Sequence, residues 1–192
     1  MRVVLGEGGR DGPERGPAAA PAGTDGPLVL DADGILLALG ATPRVLPTAQ
    51  PDGERILTWT QLYNLSELPE RLVVVGSGVT GAEFAGAYNA LGSDVVLVSS
   101  RDRVLPGEDA DAAELPEGGV RARGMTVMSR SRAESAERTE DGVRVTLSDG
   151  RVVEGSHGLI AVGASPAAGG SGVGAAGVRL SRGGRGAGAG AG

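Results

Sequence analysis

The chain has 192 residues, with 18 basic and 24 acidic side chains and a formal charge of −6, a length that suits one domain or one and a half. The mild acidity argues against a nucleic-acid partner; the absence of cysteine excludes disulfides, thiolate metal sites and a redox dithiol, and the single histidine excludes a multi-histidine metal centre. Every basic residue is Arg, and no apolar run approaches the roughly 20 residues that span a bilayer, so a cytoplasmic protein without a membrane partner is expected.

Residues Gly6 to Pro27 hold 7 Gly and 4 Pro, too little apolar surface to offset the entropy of ordering, and residues 1–27 are expected to be loop or disorder. Leu28-Val29-Leu30 is a short apolar run, followed by a turn at Asp31-Ala32-Asp33-Gly34. Ile35 to Leu39 is wholly apolar and suits a buried strand ended by Gly40. A short helix is expected between Trp59 and Leu65, with Trp59 and Tyr63 packing the connector to the next unit.

The best-patterned stretch runs from Arg71 to Pro106. Leu72 to Val75 reads as a buried strand, Gly76 to Gly81 as a glycine-rich turn, and Ala82 to Leu91 as a helix. Phe84, Ala87, Tyr88 and Leu91 stand at helical spacing, and Gly92 supplies the stop. Val95 to Val98 is a second buried strand. Two apolar strands joined through a helix are parallel neighbours, which makes the fold class α/β with a parallel sheet. A further helix is expected from Asp109 to Arg123, interrupted by Pro116 and Gly118-Gly119.

Thr126 to Val153 reads as an inserted antiparallel β-meander, with turn signals at Asp141-Gly142 and Asp149-Gly150. Leu159 to Val162 is one more buried strand, closed by Gly163; His157 before it is expected at the surface rather than as a ligand. The last 26 residues, Ala167 to Gly192, hold 11 Gly and three Arg without an acid, and no fixed structure is expected there.

The chemistry-bearing motif is Gly76-x-Gly78-x-x-Gly81. Its position between a strand and a helix is the context a dinucleotide site requires. Gly76 permits the tight turn, Gly78 lets a pyrophosphate approach the backbone, and Gly81 allows close helix–strand packing. Ser77, Val79 and Thr80 complete the turn. The helix N-terminus then faces the anion; the bland alternative is a ligand-free glycine turn. The second strand ends Val98-Ser99-Ser100-Arg101-Asp102-Arg103. NAD sites place an acid at that strand end, whereas NADP sites place Arg nearby for the 2′-phosphate. With the acid absent, Ser99, Ser100 and Arg101 favour NADP over NAD. Alternatively, Arg101 and Arg103 are solvated charges that Asp102 partly neutralises.

The run RLVVVGSGVTGAEFAGAYNALGSDVVLVSSRDRVLP, Arg71 to Pro106, resembles the pyridine-nucleotide domain of flavoprotein disulfide reductases, in particular dihydrolipoamide-dehydrogenase-like NAD(P)H:quinone reductases. LLALGATPRVLP, Leu36 to Pro47, and LIAVGASP, Leu159 to Pro166, resemble the two crossovers between the family's FAD and NAD(P)H domains. The resemblance implies a Rossmann-like FAD/NAD(P)-binding fold. It divides the chain into a crossover remnant at 28–51, an NAD(P)H domain at 52–158, a return crossover at 159–166 and a Gly-rich tail at 167–192. It also implies that Val79, Glu83 and Gly163 lie at the nicotinamide end and Gly40 near FAD. Glu83 is otherwise a first-turn carboxylate stabilised by the helix dipole. Further expectations follow from family features this sequence does not display, namely a second glycine fingerprint for FAD, a redox-active cysteine pair and a dimerisation domain. The chain is expected to be an incomplete, NAD(P)H-binding part of an FAD-dependent oxidoreductase that passes hydride from NAD(P)H to FAD and on to a quinone or disulfide, without independent turnover; the alternatives are a non-catalytic module that binds the small-molecule dinucleotide alone or docks with an FAD-containing chain, and a degenerate fragment without activity.

Overall fold

The computed structural model describes residues 15–18, 28–107, 118–119, 121–168, 171–174, 177–181 and 186–187. In chain order the strands and helices begin with β1 (Arg15–Ala18), β2 (Leu28–Asp31), β3 (Ala41–Pro43), β4 (Ile56–Leu57) and α1 (Trp59–Leu62). β5 (Arg71–Val75), α2 (Val79–Leu91), β6 (Asp94–Val98) and β7 (Thr126–Met128) follow. The chain continues through β8 (Ala133–Arg138), β9 (Val143–Leu147), β10 (Val152–Gly155) and β11 (His157–Ile160), then β12 (Ala164–Pro166), β13 (Arg179–Leu180) and β14 (Gly186–Ala187).

Two compact units result. One comprises Pro43–Ala164, the other Met1–Thr42 with Ser165–Gly192. The expected NAD(P)H domain at 52–158 lies within the first. The chain passes from one unit to the other along β3 and β12, which pair with each other.

The Pro43–Ala164 unit has three layers. A five-stranded sheet in the order β4-β11-β5-β6-β7 forms the middle, with every pair parallel. Parallel sheets are buried on both faces, and this is why their strands read as unbroken apolar runs. Successive side chains alternate between the faces. Leu72, Val74, Val95, Leu97 and Leu159 pack on one side with Leu57, Leu62 of α1 and Ala85 of α2. Val73, Val75, Val96, Val98 and Ile160 pack on the other with Val143, Val145, Leu147 and Val153 of the antiparallel sheet β10-β9-β8. The meander's two turns fall at the expected Asp-Gly pairs, which lie between β8 and β9 and between β9 and β10.

Several expectations need correction. β7 belongs to the parallel sheet, pairing with β6 from Val96↔Thr126 to Val98↔Met128, and not to the meander. α2 begins at Val79, so the last three residues of the expected turn form the helix's first turn. Its buried residues are Gly81 and Ala85, Phe84 and Tyr88 pack partly against the core, and Leu91 is 66 % exposed. Tyr63 is also exposed and meets the Phe84 ring in an edge-on contact at 5.3 Å between centroids; Trp59 packs partly against the core. Of the helix expected at Asp109 to Arg123, residues 118–119 and 121–122 have helical backbone, and Pro116 lies outside the described residues.

In the other unit, Ile35 to Leu39 is not a strand. Leu36 is 93 % exposed, and Leu37 and Leu39 also face solvent. An apolar run needs an opposing apolar layer to become a buried strand, and the described residues of this unit supply none. Within the expected loop at 1–27, Arg15–Ala18 is a strand, paired antiparallel with Leu28–Asp31. In the Gly-rich tail Arg179–Leu180 pairs with Gly186–Ala187. Ladder hydrogen bonds come from the backbone, so side-chain composition alone does not exclude these ribbons. Among the described residues no helix is long and apolar enough to cross a membrane.

Candidate functional site

The site lies where β5 turns into α2. Strand order places β6 and β7 on one side of β5 and β11 and β4 on the other, so β5 sits at the point where the winding of the parallel sheet reverses. In open α/β sheets ligands occupy the crevice at the carboxyl ends of the strands at such a point. A cavity of about 350 Å³ opens there. Gly76, Ser77, Gly78, Val79 and Thr80 form one wall, Ser100, Arg101 and Pro106 another, and Ala161, Val162 and Gly163 a third.

The three glycines have different physical reasons. Gly76 has φ +110°, and a Cβ there would overlap the Ala161 carbonyl of the neighbouring strand. A Cβ on Gly81 would overlap the Gly76 carbonyl and press on the Ala161 side chain at 3.3 Å. Both are demanded by the fold itself. Gly78 is not: its φ is −69°, and a Cβ there would meet nothing within 4 Å. The open space over Gly78 is the cradle a pyrophosphate needs.

Gly78 is also the N-cap of α2, and no side chain caps this helix end. Ser, Thr, Asp or Asn are the usual occupants of that position. The Ala82 N–H bonds back to the Gly78 carbonyl at 2.9 Å, and the N–H groups of Val79, Thr80 and Gly81 precede it. An anion seated here receives those donors and the positive end of the helix dipole. Arg101 is exposed and also lines the cavity. The residues present therefore fit a dinucleotide diphosphate.

Among the sequence-predicted residues, Gly76, Ser77, Gly78, Val79, Thr80, Ser100, Arg101 and Gly163 come together around the cavity. Gly81 packs beneath it. Ser99 does not line it: its side chain is fully buried, and its hydroxyl lies 2.6 Å from that of Ser77. Glu83 is exposed on α2 and is not among the lining residues. Gly40 belongs to the other unit, with φ +72° and nothing within 4 Å of a Cβ. The buried polar residues Thr58, Ser77, Ser93, Ser99 and Ser131 all lie in the Pro43–Ala164 unit.

Sequence reading missed Pro106, Ala161 and Val162 as wall residues. Ala161 and Val162 follow a strand parallel to β5, and the rule about carboxyl ends of parallel strands could have found them. Pro106 arrives through the return of the loop after β6, for which the sequence carries no signal. Chemically, Arg101 is the one charged side chain among the described residues that line the cavity, and none of those residues is a general acid or base. His157 lies at the start of β11, half-buried between Ser156 and Arg55 rather than at the cavity; burial first, then the Arg55 charge, holds its pKa below the usual value of 6.5.

Comparison with known proteins agrees with this geometry. The pyridine nucleotide-disulphide oxidoreductase family matches residues 21–187. The chain is 55 % identical over 150 residues to an NAD(P)H dehydrogenase (quinone) of Mycobacterium tuberculosis, covering 78 % of this chain and 30 % of that protein. It is 37 % identical over 159 residues to a dihydrolipoyl dehydrogenase of Chlorobaculum tepidum, covering 79 % and 33 %. The chain thus spans about a third of the length of these curated relatives. Among solved structures it is similar to LpdA from Mycobacterium tuberculosis, with TM-score 0.76 and 50 % identity, covering 94 % of this chain and 40 % of that one. It also matches the HOCl-induced flavoprotein disulfide reductase RclA from Escherichia coli, with TM-score 0.76 and 25 % identity, covering 97 % and 41 %. The chain belongs to the pyridine nucleotide-disulphide oxidoreductase family.

Proposed function

We propose that the Pro43–Ala164 unit is the NAD(P)H-binding part of a flavin-dependent oxidoreductase, in which hydride passes from NAD(P)H to FAD and electrons go on to a quinone or disulfide. The observation that carries this reading is the open, uncapped helix end at Gly78, at a cavity that Arg101 also lines. The nicotinamide supplies the hydride chemistry, and this chain's residues supply binding and orientation. Gly76, Gly78 and Gly81 shape the pyrophosphate seat, with the N–H groups of the first turn of α2 as donors. Ser100 and Arg101 serve the adenosine end, and Arg101 favours NADP. Val79 and Gly163 serve the nicotinamide end, with Glu83 on the adjoining helix surface. The flavin sits on residues other than those described, or on a separate FAD-containing chain.

A second reading is a dinucleotide-binding module without catalysis, favoured by the lack of an acid or base among the described residues that line the cavity. Calorimetric titration of the purified chain with NADPH and, in parallel, NADH tests the shared claim. Saturable binding is expected, tighter for NADPH; a soluble, folded chain that binds neither would contradict both readings. Co-purification with a stoichiometric FAD-containing chain, and NADPH oxidation by that assembly with a quinone acceptor, separates them, since the binding module on its own shows neither.

A further inference from the structure

The loop after β6 is tied at both ends to one residue of the glycine turn. At its start the Ser99 and Ser77 hydroxyls are 2.6 Å apart. At its end the Leu105 N–H donates to the Ser77 carbonyl at 2.8 Å. Between these ties Arg101 is held on both sides. Its N–H donates to Ser99 Oγ at 3.1 Å, and its carbonyl accepts from the Arg130 N–H at 2.7 Å. Arg130 makes that bond from a left-handed backbone with φ +53°, a conformation side-chain-bearing residues seldom adopt and one that persists where surrounding structure enforces it.

Ser99 is 0 % exposed. A hydroxyl has one proton and two lone pairs, and those of Ser99 are engaged by Ser77 Oγ and the Arg101 N–H, with the Arg101 carbonyl also within 3.3 Å. It has no surface to offer a nucleotide. Arg101 does, because its side chain is exposed and lines the cavity.

We propose that Ser99 is a positioning residue for dinucleotide selectivity: its buried hydroxyl fixes the backbone from which Arg101 meets the 2′-phosphate of NADP(H), and it does not touch the nucleotide. This rests on the NAD(P)H reading above. A guanidinium binds a phosphate dianion through paired, directional hydrogen bonds, and holding its backbone in advance removes ordering entropy that binding would otherwise have to supply. NADH has no 2′-phosphate, so its affinity is indifferent to the brace.

The test is calorimetric titration of NADPH and NADH into the wild-type chain, Ser99→Ala, Arg101→Ala and the double variant. S99A is expected to weaken NADPH about three- to tenfold, the range of one lost hydrogen bond, and R101A about tenfold or more. NADH affinity stays within about twofold in S99A, which removes no direct contact, and R101A weakens NADPH by a larger factor than NADH. In the R101A background S99A has no further effect on NADPH. Equal loss of both dinucleotides in S99A, or an undiminished effect of S99A in R101A, overturns the proposal and assigns Ser99 to the general fold. A wild-type chain that binds NADH and not NADPH overturns the proposal while leaving the nucleotide site standing. A wild-type chain that binds neither overturns the underlying reading as well. Should S99A fail to fold, Ser99→Cys keeps the volume with a weaker acceptor, and the same comparison applies.

Discussion

The three glycines of the turn look alike in sequence and differ in what they are for. Gly76 and Gly81 are fixed by backbone that passes too close for a Cβ, and Gly76 also by its positive φ. Gly81→Ala is therefore expected to destabilise the chain by about 1–3 kcal/mol through overpacking against the Gly76 carbonyl, read as a lower melting temperature; an unchanged melt would mean that the helix can move off the turn freely. Ser99 shows the limit of reading one residue at a time. Its place at the end of the second strand was plain from the sequence, and its type suited a phosphate. That its hydroxyl points inward to Ser77, 22 residues earlier, depends on the distance between strand and turn, which no local pattern encodes.

At the scale of elements, β5, β6 and β11 were legible because burial on both faces writes itself as an apolar run. The run Ile35–Leu39 carries the same signal without a strand, since the pattern reports apolarity and not the presence of an opposing layer. β7 was misassigned because Thr126-Val127-Met128 precedes the true meander directly and carries no crossover signal of its own. α2 was found, and of the large side chains at helical spacing Phe84 and Tyr88 pack partly against the core while Leu91 is exposed. The fully buried residues of the helix are small, Gly81 and Ala85, and let it lie close. Ala85→Leu is accordingly expected to cost about 1–3 kcal/mol and Leu91→Glu less than about 0.5 kcal/mol, compared by denaturant unfolding. The reverse order would contradict the assigned face.

At the scale of the whole molecule, the Pro43–Ala164 unit carries the glycine turn and its cavity on a sheet packed between helices and a meander. Its stability is linked to pH through His157. Burial and then the Arg55 charge lower its folded pKa, with Asp52 opposing. A histidine whose folded pKa lies below its unfolded value binds fewer protons when native. Its contribution is complete above about pH 6.5 and is lost as pH falls from there through the lowered folded value. Melting temperature should fall over that window, and His157→Gln should flatten the fall. A slope that H157Q leaves unchanged would assign it to the carboxylates.

The central claim is that Gly78 is glycine for a ligand and not for the fold, and Gly78→Ser tests it most directly. Serine is a better N-cap than glycine, and the space around the position is open, so the melting temperature should hold or rise. The new side chain stands where the pyrophosphate would lie, so affinity for NADPH, measured by titration calorimetry, should drop by about tenfold or more, or 1.4 kcal/mol. A variant that melts as expected and binds NADPH as tightly as the wild-type chain would contradict the account.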